Sequence, residues 1–367
     1  MAYLAYLDGG ERATNNFGYY ASEGISQIFY NGGGTLGETV GNLYINTNVN
    51  GQCYFSTSQS YAYGGGTNAG LLNNLRWTPS GLSSSTIYFG ARIYTGPLGN
   101  YTLFYLCNAN GVPQLAIYLN TDGSIVVYSG ATNKFKGFGN FLGSTAAGLV
   151  SPYSIIFLEI YLVVSATSGV VTIHLNGNQT TPVLNLTNVN TASDTSSLPI
   201  TFLECTGTSN NCFVRDIYFT DGTGSAPFNT FLGDVSVQYL TPSANVAVQF
   251  TPNGNSSNYL NAAQTPPNSG TDYNNATTVG STDTFTVNSL ASDTLNTFAV
   301  KLFDYSYGSG GLAKTITSGS TTVTGTVNTL TTTVGIHSDT YTTNPSTSGT
   351  WTTTAVNALT IGYKVIS

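Results

Sequence analysis

The chain has 367 residues and a formal net charge of −7, and only 7% of it is Asp, Glu, Lys or Arg, against about 25% in an ordinary globular domain. Nine Lys plus Arg in all form no basic stripe to neutralise phosphates, so nucleic acid is not an expected partner. Forty-two glycines, long Thr, Ser and Asn stretches and 25 tyrosines take the place of charge, and such a composition favours strands and turns over helices.

At the start, Met1-Ala2-Tyr3-Leu4 lacks the basic segment and long apolar run of a secretory leader. The expectation is a chain made in a cytoplasm. Gly32–Gly34 and Gly64–Gly66 lack the following helix and lysine of a phosphate loop and read as plain loops. Beside them stand Tyr19-Tyr20 and Tyr61-Ala62-Tyr63. Aromatic faces of this kind stack on sugars and also fill subunit interfaces.

Strand signals then follow one another. In Thr86 to Tyr94, Ile87, Phe89, Ala91 and Ile93 alternate against Tyr88, Arg92 and Tyr94. Leu115, Ile117 and Leu119 share one face, and Thr121-Asp122-Gly123-Ser124 turns the chain into Ile125 to Tyr128, a predicted β-hairpin. Ser154 to Val164 is apolar on both faces apart from Glu159, as in the middle of a sandwich. It is also too short to span a bilayer as a helix, so no membrane insertion is expected. Val171, Ile173 and Leu175 precede another turn at Asn176-Gly177, with His174 on the opposite, solvent-facing side. Cys205 and Cys212 bracket a six-residue loop that a disulfide could close; reduced thiols, usual in a cytoplasm, are the alternative. No C-x-x-C pair exists for zinc.

Composition shifts near Thr241-Pro242. Residues 1–240 are predicted to form a large β-sandwich and 241–367 a smaller one serving assembly. In the second, strands are expected at Val246–Phe250, Thr284–Val287, Phe298–Phe303, Lys314–Thr317 and Leu359–Val365, with polar-faced strands between Thr315 and Thr333. Tyr305-Ser306-Tyr307 flank another glycine-rich loop, and His337 falls in a loop or at a strand end.

Three passages resemble the laminin-G/concanavalin A-like jelly roll. Phe104 to Tyr128 is similar to its central hairpin. Ile156 to Tyr161 followed by Val170 to Gly177 is similar to the next pair, and Phe213 to Asp221 followed by Phe231 to Pro242 to its closing strands. The Leu232-Gly233-Asp234…Leu240-Thr241-Pro242 passage, with Trp351-Thr352 and Val356 to Val365 near the end, resembles a group of phage virion proteins. Relatives with paired acids before the Ile-Tyr segment suggest a metal contact there, but Arg215-Asp216 stands in that place. Laminin-G-like domains sometimes bind calcium at a sandwich rim. The acids Asp8, Asp122, Asp216, Asp221 and Asp234 show no spacing that identifies such a site.

Enzymes of this fold class hydrolyse glycosidic bonds with two facing carboxyls. No Glu-x-Asp-x-x-Glu cluster occurs here. Glu159 and then Glu204 are the best single candidates, and each also reads as a strand carboxylate satisfied by tyrosine hydroxyls or backbone. A Ser-His-Asp triad would need one of only two histidines.

The expectation is therefore a non-enzymatic structural component of a tailed-phage virion: a capsid decoration, collar or tail/fibre-base protein. No cofactor and no metal are expected, and the partners are other virion proteins and copies of itself. The alternative is a glycan-binding adhesin for host-surface polysaccharide. Tyr61, Tyr63, Tyr305 and Tyr307 are the candidate glycan or subunit contacts.

Overall fold

A computed structural model describes residues 4–8, 25–30, 36–38, 44–49, 52–56, 72–79, 82–130, 139–207, 212–264, 270–290 and 297–367. Before Trp77, and at 101, 202, 204–207 and 212–213, the description covers backbone only. The chain divides into two compact units, Met1–Val237 and Gln238–Ser367.

Among its described residues the first unit holds sixteen strands. Those before the long alternating stretch are β1 (Leu4–Asp8), β2 (Ile25–Tyr30), β3 (Leu36–Glu38), β4 (Tyr44–Val49), β5 (Gln52–Ser56) and β6 (Leu72–Trp77). Then come β7 (Thr86–Thr95), β8 (Tyr101–Asn108), β9 (Pro113–Leu119), β10 (Ile125–Ser129) and β11 (Asn140–Ser144). The last are β12 (Ile155–Val163), β13 (Gly169–Leu175), β14 (Leu184–Val189), β15 (Ile200–Gly207) and β16 (Cys212–Thr220). They make two eight-stranded sheets. One runs β14-β13-β12-β7-β16-β5-β4 with β1 also on β16, and the other runs β11-β10-β9-β8-β15-β6-β2-β3. All their pairings are antiparallel. The first unit is thus an all-β sandwich of two antiparallel sheets.

Its core follows from strict alternation. Ile87, Phe89, Ala91 and Ile93 of β7 are fully buried and pair across to Leu162, Ile160, Leu158 and Ile156 of β12. Facing them from the second sheet are Phe104, Leu106, Leu115, Ile117, Leu119 and Val127, none with exposed surface. The Phe89 and Phe104 rings meet edge to face at 4.9 Å between the two layers.

One irregularity in β16 places a polar pair on the outer face of the first sheet. Arg215 pairs with Arg92, but the next pair is Tyr218 with Gly90, so Asp216 and Ile217 together oppose Ala91. This β-bulge, with Asp216 at φ +50, lets two consecutive polar residues sit side by side while Val214, Ile217 and Phe219 all stay fully buried.

The second unit contains β17 (Pro242–Ala247), β18 (Thr251–Asn253), helix α1 (Asn258–Ala262), β19 (Tyr273–Asn275), β20 (Thr282–Val287) and β21 (Val300–Ser306). After these come β22 (Gly311–Ser318), β23 (Thr321–Thr329), β24 (Gly335–Tyr341), helix α2 (Thr353–Asn357) and β25 (Thr360–Val365). A five-stranded sheet, β17-β20-β25-β22-β23, is faced by the ribbon β21-β24. Leu302, Ile316, Trp351, Val356 and Leu359 form its core, with Val300, Val323, Tyr341 and Ile361 packed against them. The Thr352 side chain caps α2 by accepting the Ala355 N–H. His337, expected in a loop or at a strand end, lies inside β24 opposite Asp304.

Candidate functional site

The carboxylate that the sequence offers as the best catalytic candidate is sealed. Glu159 on β12 has no exposed surface. Its Oε1 accepts the Tyr218 hydroxyl at 2.6 Å and the Gly233 N–H at 2.8 Å. Burial pushes its pKa up, with the Tyr218 and Gly233 donors pulling the other way. The cover is the segment after β16, which crosses the outer face of the first sheet. Phe231 packs on the rings of His174 (4.4 Å) and Tyr88 (5.1 Å), and Leu232 and Val235 are buried.

The Leu232-Gly233-Asp234 motif is therefore a clasp. Gly233 sits at φ +86, a backbone that glycine adopts without penalty, and there its N–H meets Glu159. Asp234 takes Arg92 Nη2 at 2.6 Å, and Arg92 Nη2 also donates to the Val235 carbonyl at 3.0 Å. Asp216, fully buried, accepts Arg92 Nε at 2.7 Å, Arg215 Nε at 2.9 Å and the Val237 N–H at 3.0 Å. Gly90 completes the fit, because a Cβ there would lie 2.0 Å from Tyr218 Cε1.

His174 corrects the sequence reading. It does lie on the face opposite Val171 and Ile173, but that face is covered by the clasp and His174 is only 4% exposed. Its Nδ1–H donates to the Asn178 carbonyl. Tyr61 and Tyr63, and the glycine runs at 32–34 and 64–66, lie outside the described residues, as do the side chains of Cys205, Cys212, Glu204 and Asp8. Tyr305 is half-buried on β21, and Tyr307, 42% exposed just beyond it, meets the Tyr273 ring edge to face at 6.3 Å. Asp221 is engaged by Thr223. Among the described residues no three His, Cys, Asp or Glu side chains are grouped to hold a metal, and no helix is long and apolar enough to cross a membrane.

A second arrangement is one that sequence reasoning missed. At one end of the first sandwich the β9–β10 turn and the β11–β12 loop are stitched together. The Gly148 N–H donates to the Asp122 carbonyl at 2.7 Å and the Val150 N–H to the Gly123 carbonyl at 2.9 Å. Gly123, at φ +78, leaves room that a Cβ would take 2.3 Å from the Val150 oxygen. Asp122 accepts the Ser124 N–H and hydroxyl, which hold its carboxyl below the usual range and keep it charged. Asn100 accepts the Thr121 N–H, adding an amide to the same turn.

From the same loop Tyr153 projects, 64% exposed, at φ +55. That left-handed backbone costs a tyrosine about 1–3 kcal/mol and is held by neighbours. Buried Thr95 donates its hydroxyl to the Ser151 and Ser154 carbonyls and accepts the Ser154 N–H, and the Tyr153 N–H donates to the Gly96 carbonyl at 3.1 Å. Ile155, 37% exposed, lies beside it. The rim thus joins a fixed, outward aromatic face with a charged carboxylate, an amide and exposed Thr121. The one sequence signal for it is an aromatic directly after Pro152 in a loop between strands.

No family model and no curated protein matches the chain. Among solved structures it is similar to the alginate lyase vAL-1 from Chlorella virus, at 12% identity over 59% of this chain and 99% of that one, with a TM-score of 0.38. It is also similar to the Emp46p carbohydrate recognition domain, at 10% over 59% and 95% with a TM-score of 0.35. A third is the VIP36 exoplasmic/lumenal domain, at 10% over 64% and 96% with a TM-score of 0.35. Likeness this distant says nothing about activity.

Proposed function

We propose that the chain is a non-enzymatic structural component of a tailed-phage virion whose first sandwich holds a host-surface glycan at the loop rim. The observation that carries the glycan reading is Tyr153, held outward in a strained backbone by the Thr95 clamp. Strain at an exposed aromatic points to a use for that aromatic. A tyrosine ring packs on the apolar face of a pyranose while carboxylate and amide groups take its hydroxyls, and Asp122 and Asn100 supply both chemistries on the adjoining turn. The virion reading is supported by the resemblance of residues 232–242 and 351–365 to phage proteins and by a surface poor in charge. The half-buried Tyr305 and exposed Tyr307 are its proposed contacts with other virion proteins or with copies of this chain.

A glycan array followed by calorimetry on the best binder tests the first half. Tyr153→Ala is expected to weaken binding at least about tenfold, roughly 1.4 kcal/mol, with the unfolding midpoint nearly unchanged. An array without any binder overturns the glycan reading. Mass spectrometry of purified particles is expected to find the chain at a fixed copy number, and its absence from particles overturns the virion reading.

A further inference from the structure

Inside the second sandwich a lysine is enclosed with two aspartates. Lys314 on β22 is 2% exposed, and its Nζ lies 2.8 Å from Asp304 Oδ1 on β21 and 3.3 Å from Asp339 Oδ2 on β24. The pairing register explains the meeting. Asp304 stands opposite His337 and Asp339 opposite Leu302, so both acids lie on the ribbon face that carries Leu302. Lys314 lies two residues from Ile316, which packs with Leu302 in the core. Ser306 donates its hydroxyl to Asp304 Oδ2 at 2.6 Å. Gly325 on β23 makes room for the third group, since a Cβ there would come within 2.4 Å of Asp339 Oδ2 and 2.8 Å of the Tyr341 hydroxyl.

We infer that Lys314 and Asp304 join in a spontaneous intramolecular amide, with Asp339 moving the protons. Nζ touches one carboxyl oxygen, so Cγ lies a single bond beyond it, the proximity that makes a two-group reaction effectively unimolecular. The ammonium gives one proton to the Asp304 carboxyl, and the freed nitrogen pair attacks Cγ. Ser306 donates to the oxygen on which negative charge develops. Asp339 takes a second proton from the nitrogen and returns it to the departing hydroxyl. An ammonium and a carboxylate thus become one amide N–H and one water, with no oxidant or reductant. Burial favours the product, because two charges held out of water at a desolvation cost are replaced by a neutral amide. The bond would tie the ribbon covalently to the five-stranded sheet.

The test is the intact mass of the full chain under denaturing conditions. It is expected to fall below the sequence mass by one water. Trypsin is then expected not to cut after Lys314, leaving a single fragment from Leu302 to Lys364 that carries the same loss. Asp304→Ala and Lys314→Met are each expected to restore the full sequence mass, and Asp339→Asn to leave most of the chain unlinked. Wild-type chain at its full sequence mass overturns the inference, whatever the variants do. So does a water loss that persists in both Asp304→Ala and Lys314→Met. Linkage that stays complete in Asp339→Asn overturns the role given to Asp339.

Discussion

In the first sandwich one buried aspartate lies between two guanidiniums; in the second, one buried lysine lies between two carboxylates. Asp216 has hydrogen bonds on both oxygens, from Arg92, Arg215 and the Val237 N–H. Lys314 has close carboxylate contacts on two sides, and beyond that ion-pair contact Asp339 Oδ2 has no hydrogen-bond donor among the described residues. The difference is chemical as well as geometric. A guanidinium keeps its proton and its planar fork, so it can only lock. An ammonium is a compact point charge that can give up a proton and become a nucleophile. The first cluster therefore closes a clasp over a sheet, and the second is arranged to react.

The sharpest way to break the comparison is at Asp216. Asp216→Ala removes the acid from between two guanidiniums, one of them on buried Arg215, and is expected to cost about 3–5 kcal/mol in a urea titration. Asp216→Asn should cost less, because Asn tolerates the left-handed backbone that Ala does not. Equal losses would mean that the backbone at this position plays no separate part. Next comes Gly90→Ala. Its Cβ would collide with the fully buried Tyr218 ring, so the ring must move off Glu159, at an expected cost of about 1–3 kcal/mol. A variant as stable as wild type would show that the clasp tolerates a displaced Tyr218. Tyr218→Phe keeps the ring and loses only the hydroxyl that Glu159 accepts. About 1–2 kcal/mol is expected there, again by denaturation.

How much of the molecule is legible in its sequence depends on whether the cause is local. The alternation of Ile87, Phe89, Ala91 and Ile93 names the buried face of β7 correctly. The turn at residues 121–124 does join β9 to β10 in register. In the second unit, Thr284–Val287 and Lys314–Thr317 fall inside β20 and β22, and all but the first residue of Leu359–Val365 inside β25. The expected strand at Val246–Phe250 instead straddles the end of β17 and the gap before β18. His174 reads as solvent-facing because a period of two tells which face a residue takes but not what covers that face. The cover, Phe231, is 57 residues further on and arrives only through tertiary structure. The bulge at Asp216 is hidden for a related reason, since an extra residue shows only against the partner strand. Lys314 carries a readable signal, a lone charge between Leu312 and Ile316 in an apolar strand, but its acids come from two other strands.

The smallest expected effect concerns Glu159 and separates a latch from a titrating group. Burial raises its folded-state pKa above the unfolded value, so the fold favours the protonated acid. The stability this confers is fully present below the unfolded carboxylate range and is lost as pH rises through the raised folded value. Glu159→Gln imitates the protonated form: its amide oxygen can still accept from Tyr218 and Gly233. The variant should match wild type within about 1 kcal/mol in acid. As pH rises, wild type should lose ground to it by no more than about 1.4 kcal/mol per pH unit. Urea midpoints of the two proteins measured side by side across the acid-to-neutral range read this directly. Parallel curves would mean that Tyr218, Gly233 and His174 together compensate the buried charge in full, and that the clasp closes over an ionised Glu159 as readily as over a neutral one.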